Sequence, residues 1–307
     1  MRRKRRRIQY YSGEKTTAGL RDRTWFPFVA VAVSAIVLAL IVGAILGAVA
    51  GGSQKKDVPH RDLIDFGGVE QPEVKYAELP SVQAGWIDLS GLDSSALRST
   101  LKECEAGNAV TFVAYDGKQT VYFNTSLPDK TAAALVERSE VTAADVVRRI
   151  GAEDYYSIAL FTVGALNELD EQLRLIKTSQ ELALISELAS AGINEIILCG
   201  LPTDSDDLEG VNRYVRQAFE VVGNTRLGIL VSHEDALTSG ISRLVGATNA
   251  YADSYVLDLR DAENAGNVIE KNAYFLTAYR MRLMLREAEE LPAVIEQYSI
   301  ESYLLVK

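Results

Sequence analysis

The stretch LISELASAGINEIILCGLP, residues 184–202, carries a helix, its stop signal and a buried strand in succession. Leu182, Ile185, Leu188 and Ala189 recur at helical spacing across 179–191, and Gly192 ends the run. Residues 195–201 then read as a strand, because a short apolar run between turn signals has no polar face to offer water. Outward from this unit the same alternation repeats. Strands are expected at 85–89, 109–114, 157–163, 195–201, 227–232, 254–259, 282–285 and 303–306. Helices are expected at 93–105, 142–150, 179–191, 207–222, 235–245, 264–276 and 291–298, with Asp93, Thr142, Asp207 (beside Asp206) and Asp235 as capping residues. Strands alternating with helices imply a parallel sheet, since each return of the chain needs a crossover.

The fold class expected is therefore α/β, a TIM-barrel-like (β/α)8 domain, with an open doubly wound sheet as the alternative. Two irregularities stand out. Gly117 followed by the alternation at 120–124 suggests a hairpin extension of the second strand, and the chain ends on its eighth strand, at Lys307, without a last helix.

Ahead of this domain lies a different kind of sequence. Arg2, Arg3, Lys4, Arg5, Arg6 and Arg7 form a basic run, and residues 25–50, opening on Trp25 and closing on Ala50, carry no charge. About 20 apolar residues suffice to span a bilayer as a helix, and cationic residues on the N-terminal side hold that side in the cytoplasm. A cleaved signal peptide has a shorter apolar core, so a retained anchor is the reading. The expected organisation is a basic cytoplasmic tail at 1–24, a transmembrane helix at 25–50, a polar linker at 51–80 and an extracellular barrel domain at 81–307. Gly43, Gly47 and Gly51 fall on one face of the span, where small residues let two such helices pair. Partners expected from this segment are membrane lipid and a second copy of the chain.

Charge divides in the same place. Residues 1–24 carry nine Lys and Arg against Glu14 and Asp22, a net of +7, so the remainder, with 23 basic and 40 acidic residues, stands at −17. A domain this acidic repels nucleic acid. Cys104 and Cys199 are read as free thiols, and two His with no Cys cluster give no zinc pattern. No phosphate-cradling glycine loop occurs, so no cofactor and no metal are expected.

In a barrel of this kind chemistry sits at the C-terminal ends of the strands. Those ends supply Asp88, Tyr115, Asp116, Cys199, Asp204, His233, Asp258, Arg260 and Glu287 as candidate ligand-binding residues. Paired carboxylates across a sugar cleave glycosidic bonds, but Asp at a strand end also caps the following helix. His233 is the one histidine of the outer domain and could move a proton near neutral pH.

The order of these segments resembles a glycoside-hydrolase-like family of bacterial TIM barrels. GNAVTFVAYDGKQTVYF (107–123) is similar to the family's second-strand segment, residues 184–202 to its third helix and fourth strand, and ADSYVLDL (252–259) to its sixth strand. The resemblance covers about 84–307. It implies an acidic residue at Val113, a lysine at Tyr115 and an aspartate at Cys199, and all three are missing. The aromatic-Arg-Phe-Pro that the family carries next is reduced to Gly200, Leu201 and Pro202. A thiol, mostly protonated at neutral pH, does not replace a carboxylate in oxocarbenium chemistry. The expectation is a noncatalytic glycosidase-like domain that binds an envelope glycan or an envelope protein. The alternative is an active glycosidase with a relocated acid pair, with Asp116 and Asp204 as the catalytic residues.

Overall fold

The computed structural model describes residues 79–104, 107–127, 135–286, 300 and 302–306. The basic tail, the apolar segment 25–50 with Gly43, Gly47 and Gly51, all but the end of the linker, the helix expected at 291–298, Glu287 and Lys307 lie outside them. Among the described residues no helix is long and apolar enough to cross a membrane.

Eight parallel strands close into a barrel: β1 (Gln83–Trp86), β2 (Ala109–Tyr115), β5 (Tyr156–Thr162), β6 (Glu195–Cys199), β7 (Arg226–Ser232), β8 (Ser254–Asp258), β9 (Arg282–Leu285) and β10 (Tyr303–Leu305). Closure comes from β1, which pairs with β10 on one side and β2 on the other. The expected hairpin is present as β3 (Thr120–Val121), antiparallel to β2 at Tyr115 and Val121. A further strand, β4 (Val136–Glu137), runs parallel to β3 and was not legible in the sequence.

Helices cover the outside: α1 (Ser94–Glu103), α2 (Ala143–Ala152), α3 (Glu171–Ser190), α4 (Leu208–Val222), α5 (His233–Leu237), α6 (Gly240–Thr248), α7 (Ala265–Lys271) and α8 (Ala273–Ala278). Their ends follow the expected chemistry in several places. Asp93 accepts from the amides of Ser95 and Ala96, and Thr142 and Asp145 form a reciprocal capping box. On α4, Val211, Tyr214, Val215, Ala218 and Val222 form the buried stripe, each large side chain contributing roughly 1.5–3 kcal/mol by leaving water.

The differences have local causes. α3 starts eight residues ahead of 179, capped by Asp170, because Asp170 accepts from the amides of Gln172 and Leu173; Leu173, Leu175 and Ile176 of these added turns remain exposed and so break the core periodicity. The single helix expected at 235–245 is two, split at Thr238 and Ser239. The one expected at 264–276 is also two, meeting at Asn272, whose buried amide donates to the carbonyls of Ala236 and Val268. Asp207 makes no side-chain cap bond, and at α5 the cap is Ser232 rather than Asp235.

Two cores result. An outer one lies between barrel and helices. An inner one fills the barrel with Ala84, Ala109, Ile158, Ile197, Cys199, Val256, Met284 and Leu304 among others. Alternation along β6 shows the sorting: Ile196 and Leu198 join the outer core, while Ile197 and Cys199 join the inner one.

Candidate functional site

The inner residues nearest the C-terminal ends of the strands define the mouth. Here Cys199 and Met284 belong to the inner core and the partly buried Trp86, Val113 and Leu230 pack against it, while Thr162, Ser232 and Asp258 end β5, β7 and β8 in the same alternation. Cys199 closes β6 and is 8% exposed. Burial and the neighbouring Asp258 carboxylate push its thiol up to about 12, against a smaller opposite pull from Arg260. A thiol held neutral in this way is neither acid nor nucleophile at physiological pH.

Asp258 is the carboxylate beside that thiol, and it is already engaged. Arg260 grips it with two hydrogen bonds, Nε to Oδ1 at 2.9 Å and Nη2 to Oδ2 at 2.7 Å, and its own amide donates to Oδ1. The same hydrogen bonding from Asp258 raises the Arg260 pKa. A bidentate pair of this kind fixes both side chains and neutralises the carboxylate.

The structure disperses the other candidates. Asp116 caps its own turn, its Oδ1 accepting from the amides of Lys118, Gln119 and Thr120 at 2.8, 3.0 and 2.9 Å. Burial alone would raise its pKa, but the hydrogen bonds from Thr120, Lys118 and Gln119 outweigh it and hold the carboxyl below the usual range. A carboxylate stabilised in its ionised form is a poor proton donor. Tyr115 is withdrawn from the mouth altogether. Between Val113 and Tyr115 the register with β5 slips by one residue, which turns Tyr115 into the outer core, against Phe161 at 5.0 Å between ring centroids. Its hydroxyl donates to the Lys118 carbonyl, and burial raises its pKa. Asp204 is exposed in the loop after β6, and His233 sits half-buried in the first turn of α5. Asp235 accepts from the hydroxyls of Thr203 at 2.5 Å and Ser232 at 2.6 Å, tying the loop after β6 to that after β7. Neither Cys104 nor Cys199 is in a disulfide. Among the described residues no group of three His, Cys, Asp or Glu side chains could hold a metal ion.

Asp88 lies elsewhere on the mouth. It borders a cleft of about 340 Å³ between Trp86, Asp88, Ser90, Val113 and Tyr122. Ser90 and Tyr122 were not singled out from the sequence. The one signal for Tyr122 is its place in the hairpin alternation, which β3 sets beside β2 through the Tyr122 amide and the Ala114 carbonyl, 3.0 Å apart.

Two buried carboxylates also escaped the sequence reading. Glu181 on α3 accepts from the amides of Gly164 and Ala165 and from the Tyr214 hydroxyl, which pins the loop after β5. That loop then presses on the hairpin turn. A Cβ on Gly164 would lie 1.6 Å from the Gly117 carbonyl oxygen, and Gly117 itself has φ +77°, so both positions require glycine. Glu195, at the opposite end of the barrel, is fully buried against Arg282, Ser254 and Tyr156. The available signals were an acid in the apolar stripe of a helix and charges at the first positions of buried strands.

No protein-family model matches the chain, and no curated protein matches it. Solved structures do. A candidate α-L-fucosidase from Bacteroides thetaiotaomicron superposes with a TM-score of 0.53 at 7% identity, over 74% of this chain and 87% of that one. A β-hexosaminidase from Streptomyces plicatus gives 0.44 at 11% identity, over 67% of this chain and 48% of that one. The likeness is one of fold. The fold is the TIM barrel, an architecture that hosts many unrelated chemistries.

Proposed function

We propose that the chain is a membrane-anchored, extracytoplasmic glycosidase-like barrel that binds rather than cleaves, docking an envelope glycan or an envelope protein. The observation that carries this reading is the composition of the mouth. Val113 and Cys199, at the positions where the resemblance implies acids, both join the inner core, and Asp258 is locked by Arg260. Glycosidase chemistry uses one carboxyl as proton donor and a second as nucleophile or base, facing each other across the scissile bond. Asp116 is committed to three amides of its own turn, and Asp204 stands in solvent. Anchoring rests on the uncharged segment 25–50 and the basic run before it.

The test is turnover. The full chain in detergent is expected to release no aryl alcohol from a panel of aryl α- and β-glycosides. Release that disappears in Asp116→Asn or Asp204→Asn would establish the active alternative. Orientation is tested by labelling Cys104 in intact cells with a membrane-impermeant maleimide. Labelling places the barrel outside, and protection until the cells are lysed refutes that placement.

A further inference from the structure

The cleft beside the mouth is a second feature of the same face, and its chemistry is narrower than that of a general docking surface. Val113 and Trp86, from β2 and the end of β1, contribute apolar lining beside the polar groups of Asp88 and Ser90. Tyr122 adds a second ring and Asp88 a carboxylate. We propose that this cleft binds an organic ammonium group, the chemistry shared by a primary alkylamine, an amino sugar and a quaternary ammonium. The proposal rests on the binding role inferred above and names the ligand class for it.

Four observations point the same way. Asp88 is exposed, and the one hydrogen bond its carboxylate accepts is within its own turn, from the Ser90 amide to Oδ1 at 2.9 Å. A carboxylate has about four acceptor sites, so acceptors remain for a ligand N–H. No Lys or Arg forms an ion pair with Asp88 among the described residues, where Asp258, Asp261 and Glu195 each have an arginine. Trp86 and Tyr122 both line the cleft, and an aromatic ring attracts a cation placed over its face. Finally, the sequence beyond residue 24 carries a net −17, which draws cations toward the domain and repels anions. The volume of about 340 Å³ is at the lower end for a small-molecule site and suits a single headgroup or one sugar.

The Asp88 carboxylate attracts all three by charge, but only the alkylamine and the amino sugar donate N–H to it, so the three differ at the charged end as well as in the body attached to it. A neutral sugar can stack on the rings, but it brings no charge to set against Asp88.

The experiment uses the full chain in detergent with Trp25→Phe, so that Trp86 is the only tryptophan. Its fluorescence is followed while choline, n-butylammonium, glucosamine or glucose is added at constant ionic strength. At least one ammonium compound is expected to saturate the signal at least about tenfold more tightly than glucose. Asp88→Asn keeps the acceptor for the Ser90 amide and is expected to weaken that binding about tenfold or more, while Asp206→Asn, at an exposed position outside the cleft, leaves it unchanged. Which of the three cations binds best identifies the source. Glucose binding as tightly as the best of the three cations, no saturable response to any of the cations, or an Asp88→Asn variant that binds like the parent would each overturn the proposal. The same samples are assayed with aryl glycosides: turnover there refutes the binding-only role, whereas a silent titration without turnover refutes the ammonium site alone.

Discussion

The two ends of the barrel interior use charge in opposite ways. At the N-terminal end, Glu195, Arg282, Ser254, Tyr156 and Arg226, each the first residue of its strand, form one hydrogen-bonded network. Glu195 and Arg282 there are at most 1% exposed, with Nη1 and Oε2 2.6 Å apart. At the C-terminal end, where barrel enzymes hold their reacting groups, the inner core ends in Trp86, Val113, Cys199, Leu230 and Met284, and the one charged pair beside Cys199 is closed on itself. At the N-terminal end charge is tied into one buried network, whereas beside Cys199 it is a local pair at the end of one strand. A conserved-looking barrel is therefore no guide to activity until the two ends are read separately.

Breaking the buried network is expected to have the largest effect. Arg282→Ala leaves Glu195 buried and uncompensated and should cost about 3–5 kcal/mol in chemical denaturation. Replacing both residues by Met should recover most of that loss, because a buried pair returns little beyond its own desolvation. A double variant as unstable as the single one would show that the network does more than neutralise itself.

The next effect comes from Glu181, which belongs to neither end. Burial raises its carboxyl from the usual 4.5 to about 7, and the hydrogen bonds from Gly164, Tyr214 and Ala165 offset this only in part. The fold thus favours the neutral acid. The associated stability is complete below the unfolded-state pKa and is lost as pH rises through about 7. Relative to Glu181→Gln, the parent should lose on the order of 3 kcal/mol between pH 4.5 and pH 7.5. Parallel stability curves for the two proteins would contradict this.

Smaller effects separate the two aspartates that a relocated active site would use. Asp116→Ala removes the acceptor for three amides and should lower stability by about 1–2 kcal/mol, measurable as a drop in Tm. Asp204→Asn, in solvent, should stay within about 0.5 kcal/mol of the parent. Equal effects would mean that the mouth loops couple in a way their hydrogen bonds do not show.

Much of this was written in the chain. Apolar runs between turn signals fixed where seven of the eight staves lie to within a residue or two, and Asp93 and Thr142 marked helix starts, because these are local contests between side chains and a few neighbouring amides. The first stave was displaced. Ile87 and Leu89 are buried past the end of β1, and burial alone does not distinguish a strand from the loop that follows it. The family resemblance placed Val113 at the mouth and a strand-end position placed Cys199 there, whereas Tyr115, expected at the mouth on the same strand-end ground, lies in the outer core, since a single slipped register reverses the face of the residues after it.

Sequence by itself determined the alternation of strand and helix and the division of charge between tail and domain, both of which depend on spacing and composition along one segment. Only the tertiary structure decided which carboxylates are free. Whether Asp116 or Asp258 can act depends on partners brought to it by a turn or a neighbouring loop, and the raised pKa of Glu181 depends on how much of the surrounding water the packing removes. Those quantities belong to the folded surroundings of a residue, and no spacing rule encodes them.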